Sequence, residues 1–128
     1  MVDAVELRAV ALFGSLDDQE LESLASCAEL VEISSEGVDL TRQGDFGHAV
    51  FAVVGGTADV TVDGLPVRHL GRGDVFGEIA VLSSGRRTAT VTSTSPMRLV
   101  SVFKRDLWRF ADANPGFDDA LRQATIRS

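Results

Sequence analysis

Residues Phe76 to Val91 read FGEIAVLSSGRRTATV, and the groups best suited to chemistry stand close together there: Gly77, Glu78, Arg86 and Arg87. Gly77 carries no Cβ, so a ligand can approach the backbone closely. A helix beginning at Glu78 points unpaired N–H groups, and the positive end of its dipole, out of its first turn. An arginine on the strand that follows can fork onto phosphate oxygens. The Glu78 carboxylate would repel that phosphate, so it suits a sugar hydroxyl instead. Together these demands describe a cradle for a ribose phosphate. The plain alternative is a helix–turn–strand unit with two surface arginines.

The stretch resembles the phosphate-binding cassette of cyclic nucleotide-binding domains, which runs FGE-[IL]-A-[LIV]-[LIM], a short loop, then R-[STA]-A-[TS]-V. The resemblance implies that Glu78 binds the ribose 2′-hydroxyl and Arg87 the cyclic phosphate. The amides around Ile79, Ala80 and Thr88 become further phosphate donors, and Phe76, Gly77 and Ala89 complete the cassette. Many family members have proline just before the arginine; this chain has Arg86, and its GRRTA version is closest to that of cyclic-nucleotide-regulated channels. Similar domains with threonine at the place of Thr88 tend to accept cGMP. Val60, Arg68 and Leu70 occupy positions that contact the base in similar domains; ordinary barrel lining is the competing reading for them.

Composition narrows the classes of function. A chain of 128 residues with 45% hydrophobic content is expected to form one domain, 1–128, around a real core. Twelve basic against nineteen acidic residues give a net charge of −7, which argues against a nucleic-acid partner. One small phosphate needs only a local positive pocket. The single cysteine, Cys27, excludes an internal disulfide and suits a reducing cytoplasm. No stretch approaches the ~20 apolar residues of a membrane span, so no membrane insertion is expected. Asp3, Glu6 and Arg8 keep the N-terminus from reading as a signal peptide. One lysine against eleven arginines points to a bacterial source with a high-GC genome.

The elements that must position the cassette follow from periodicity. Residues 1–29 read as helices. The first, over 1–13, has Val5, Ala9 and Leu12 on one side. The second opens on Asp17 with Glu20 three positions on, a capping box bracketed by Leu16 and Leu21. Leu21, Leu24, Ala25 and Ala28 then form its apolar stripe. Residues 30–103 read as short strands. Val31 and Ile33, then Val38 and Leu40, form two runs. Val50 to Val54 is a continuous apolar run, as in a strand buried on both faces. Ala58, Val60 and Val62 alternate with polar residues, Asp63-Gly64 makes a hairpin turn, and Val67 to Leu70 returns. Thr88 to Thr94 and Met97 to Phe103 supply the last pair. Residues 104–128 are helical again, with Leu107, Phe110, Ala111 and Trp108 before Asn114-Pro115, and Phe117, Ala120, Leu121 and Ala124 after it. The expectation is an α+β fold: an antiparallel β jelly roll with N-terminal helices, a short cassette helix within 76–91, and C-terminal helices. Gly44, Gly55 and Gly73 fall where the family places them. The resemblance makes the last helix a lid over the base, with the chain stopping about where lid contacts begin.

No catalytic constellation emerges. His48 and His69 lack the clustered ligands a jelly-roll metal site needs. Ser83-Ser84 has no histidine nearby, and Glu78 no second acid–base group. The expected function is a non-catalytic regulatory module, without cofactor or metal, whose ligand is cAMP or cGMP. It would signal through its terminal helices to an output domain or partner protein; a homodimer is compatible with this. The alternative from another class is a structural or dimerisation module that keeps the jelly roll and binds no nucleotide.

Overall fold

The computed structural model describes residues 2–77 and 85–127, with side chains as far as Gln123. The expected cassette helix, and with it Glu78, Ile79 and Ala80, lies outside the described residues. The chain opens with α1 (Ala4–Arg8), a 3-10 turn (Ala11–Phe13) and α2 (Asp18–Cys27). Strands follow: β1 (Glu29–Ile33), β2 (Asp39–Thr41), β3 (Ala49–Gly55), β4 (Ala58–Val62), β5 (Leu65–Leu70), β6 (Val75–Phe76), β7 (Thr90–Ser93) and β8 (Met97–Phe103). Two helices close the chain, α3 (Lys104–Ala113) and α4 (Pro115–Arg127).

Among the described residues the strands form two antiparallel sheets, ordered β1-β8-β3-β6 and β2-β7-β4-β5. This is the jelly roll of an α+β fold. The two faces of β3 explain its continuous apolar run. Val50 and Ala52 join Val100 and Val102 of β8 in a core shared with the helices. Val53, with Phe51 packed alongside, faces the other way, into the core between the sheets with Leu99, Val60, Leu70 and Val91. The hairpin forms at Asp63-Gly64, whose φ values of 53° and 79° make the type I′ turn that suits strand twist. Strand β5 starts directly after it, at Leu65, and lies at a sheet edge with Leu65 and Val67 exposed.

The helices agree with expectation at α2 and depart from it at the N-terminus. Asp17 accepts from the Glu20 N–H at 2.8 Å and Glu20 accepts from the Asp17 N–H at 3.0 Å, completing the capping box. The stripe Val5, Ala9, Leu12 does not hold, because Val5 is 78% exposed and Ala9 also faces solvent. The helix stops at Arg8 and tightens into a 3-10 turn, which breaks the 3.6-residue period. Leu12 is buried as expected, and Val2, Leu7, Val10 and Phe13 join it in place of Val5 and Ala9. Asn114 ties the start of the last helix to the N-terminal segment. Asn114 Oδ1 accepts from the Phe117 N–H at 3.0 Å, while Nδ2 donates to the Ser15 carbonyl and the Glu20 carboxylate. Phe117 and Leu121 are fully buried, Phe117 against Phe13 with ring centroids 6.1 Å apart.

Candidate functional site

The site is built around one buried cation. Arg87 is 9% exposed, and its guanidinium lies 5.6 Å above the ring of Phe51. Its Nη1 donates to the Gly77 carbonyl at 3.1 Å. Gly47 and Gly77 form the slot it occupies, since a Cβ on either would collide with the guanidinium. Gly77 also has φ 89°, a conformation that side-chain-bearing residues rarely adopt. Phe76, just before it, is buried and stacks on Phe51 at 5.1 Å, bracing the ring that lies under the guanidinium.

The loop between β2 and β3 fixes the backbone of the same segment. The Arg87 N–H donates to the Asp45 carbonyl at 2.6 Å, and the Gly44 N–H donates to the Arg87 carbonyl at 2.8 Å. Gly47 donates to the Gly85 carbonyl at 2.8 Å. A cavity of about 300 Å³ abuts Arg87 and is lined by Asp39, Leu40, Thr41, Arg42, Asp45 and Phe46. Arginine stays charged even when desolvated, and a charge shielded from water attracts an anion far more strongly than one in bulk solvent. Arg86 takes the opposite face. It is exposed, stacks on Phe46 at 4.3 Å, and donates to the Gly44 carbonyl at 2.9 Å.

The remaining expected residues divide. Thr88 is exposed, in the bend leading to β7. Ala89 is half-buried and its carbonyl accepts from Thr41 Oγ1 at 3.3 Å. Val60 and Leu70 are buried between the sheets, and Arg68 pairs with Val60 across the hairpin while its Nη2 donates to the Val75 carbonyl at 3.4 Å. Sequence reasoning misses Gly47 and Phe51; the G-D-x-G spacing of Gly44 to Gly47 is the signal that could have found the glycine.

Other reactive groups stand apart from the slot. Burial pushes the Cys27 thiol up, with the nearby Asp106 carboxylate adding to it, and the thiol donates to the Leu24 carbonyl at 3.3 Å. His69 is exposed and pairs with Asp59, and His48 is exposed before β3. Among the described residues, no group of three or more histidine, cysteine or acidic side chains could hold a metal. No helix there is long and apolar enough to cross a membrane.

The arrangement is thus a jelly roll with helices at both ends and a glycine-lined arginine slot. The chain belongs to the cyclic nucleotide-binding domain family, whose model matches residues 34–114. It is 34% identical over 104 residues to a cAMP-dependent protein kinase regulatory subunit of Eremothecium gossypii, covering 80% of this chain and 22% of that one. It is 29% identical over 118 residues to a cyclic nucleotide-gated potassium channel of Rhizobium etli, covering 92% and 33% respectively. The chain thus spans a third or less of the length of these curated relatives. Among solved structures, the regulatory domain of Toxoplasma gondii PKA in co-crystal with cAMP superposes with a TM-score of 0.72 at 32% identity, over 81% of this chain and 41% of that one. The N-terminal domain of a Streptomyces coelicolor transcriptional regulator gives 0.74 at 28% identity, over 95% and 88%.

Proposed function

We propose that this chain is a regulatory module that binds cAMP or cGMP without turning it over. The observation that carries the reading is the Arg87 guanidinium, buried in a slot that two glycines leave open for it. A guanidinium held there, beside an open cavity, can fork onto the oxygens of a cyclic phosphate. Glu78 takes the ribose 2′-hydroxyl, and the amides of Ile79, Ala80 and Thr88 complete the phosphate contacts. Val60, Arg68 and Leu70 face the base. Ligand that fits the cradle better in one arrangement of the terminal helices shifts the population toward it. Helix α4 is the moving element, and an output domain, partner protein or second copy beyond either terminus receives the signal. The single cysteine and the arginine-rich composition support a bacterial cytoplasmic setting.

Calorimetric titration with cAMP and with cGMP, using 5′-AMP as a control, tests the reading. Saturable binding of either cyclic nucleotide, with weaker binding of the open-chain control, is expected. Failure of both at millimolar concentration would leave the jelly roll as a structural or dimerisation module.

A further inference from the structure

Gln43 lies near the start of the loop between β2 and β3, and its side chain crosses to the tip of the β4–β5 hairpin. Its Nε2 donates to Asp63 Oδ1, and the Asp63 N–H donates back to its Oε1, both at 2.8 Å. A ring of two hydrogen bonds fixes orientation as well as distance. The Gln43 N–H donates to Thr90 Oγ1 at 3.0 Å, on the strand that follows Arg87. The next two residues, Gly44 and Asp45, hold the Arg87 backbone on both sides. One side chain therefore joins the loop that frames the phosphate arginine to the hairpin that carries Val60, Arg68 and Leu70.

We propose that Gln43 is a positioning residue for the nucleotide site, keeping its phosphate side and its base side at a fixed separation. The inference rests on the nucleotide-binding reading, and Gln43 itself touches no ligand in it. Gln43→Glu removes the donor and sets two carboxylates against each other. Adding Asp63→Asn restores the ring with one bond reversed and returns the net charge to the parent's. Asp63→Asn alone keeps the ring, because asparagine offers the same oxygen and tolerates the positive φ of 53°.

In titrations with cAMP and cGMP, the parent, Asp63→Asn and the double variant should agree within about twofold. Gln43→Glu alone should bind roughly fivefold more weakly. In nucleotide-free protein, amide exchange at Gly44, Asp63 and Arg87 should speed up in Gln43→Glu and recover in the double variant, with β8 unchanged. Gln43→Glu that matches the parent in both readouts overturns the proposal. So does a double variant that stays as weak as Gln43→Glu, because the added charge would then be the cause. If the parent binds neither nucleotide, the functional reading fails, and the exchange arm still decides the clasp. Acceleration at Arg87 that Asp63→Asn reverses supports it; no acceleration overturns it.

Discussion

Arg86 and Arg87 are neighbours of identical type, set in opposite surroundings, one exposed and one buried. Arg87 meets any phosphate away from bulk water, where losing one partner of a charge pair costs about 2–5 kcal/mol, roughly 30-fold to several thousand-fold in affinity. Arg86 lies in solvent, so its removal should cost less than about 1 kcal/mol. Titration with cAMP and cGMP should therefore show Arg87→Ala without measurable binding and Arg86→Ala near the parent, both folded by circular dichroism. The reverse result would mean that the slot does not serve the ligand. Gly47→Ala addresses the slot from the other wall. Its methyl would push the guanidinium aside, and small-to-large changes in packed sites cost about 1–3 kcal/mol. A tenfold or greater loss of affinity, about 1.4 kcal/mol, is expected; parent-like titration would show that the arginine has room elsewhere. The inward and outward arginines are legible in the sequence, because adjacent residues on an extended segment leave opposite faces. Gly47 is legible only as the end of a G-D-x-G spacing, and its reason is not, since that is a contact with a side chain far along the chain.

Local rules carry furthest where an element closes on itself. The α2 capping box depends on two residues three apart, so its spacing alone announces it. Asp17→Ala should lower stability by about 1 kcal/mol, read as a shifted urea midpoint at constant slope. An unchanged midpoint would mean that Asn114, which also bonds Glu20, holds the helix start by itself. The hairpin is equally local, because Asp63-Gly64 specifies a two-residue turn. The first thirteen residues show where such reasoning ends. Leu7, Val10 and Phe13 are buried at a spacing of three, which the 3.6-residue period expected over 1–13 does not pick out. Strand β6 is two residues long and exists through pairing with Phe51 and Ala52, which no local pattern encodes.

At the scale of the whole molecule, terminal helices from both ends of the chain share one core with the outer face of β3 and β8. Gly73, in the loop leading to β6 and Gly77, lies so close to the Ala9 carbonyl that an added Cβ would meet it at 3.1 Å. A change at the cradle can therefore press on the helices. Nucleotide should slow amide exchange in α4 more than in β3, and equal exchange with and without ligand would make the protein a rigid binder. The N-terminal helix has its own tie to the barrel. Arg98 on β8 donates to both Glu6 carboxylate oxygens at 2.9 Å and also to Glu32. The hydrogen bond and charge of Arg98, with Arg72 adding its field, hold the Glu6 carboxyl below its usual 4.5 against the opposing effect of burial. Asp3 and Glu22 line the same groove and add negative charge around it. A carboxylate with a depressed folded pKa contributes stability that is complete above the unfolded value. That contribution disappears as pH falls through the folded one. Glu6→Gln should therefore be less stable than the parent at pH 7, and the gap should close as pH drops below about 4.5. Urea unfolding of both proteins across that range checks it. A gap that stays constant would show that the pair contributes through packing of α1, with no net electrostatic advantage.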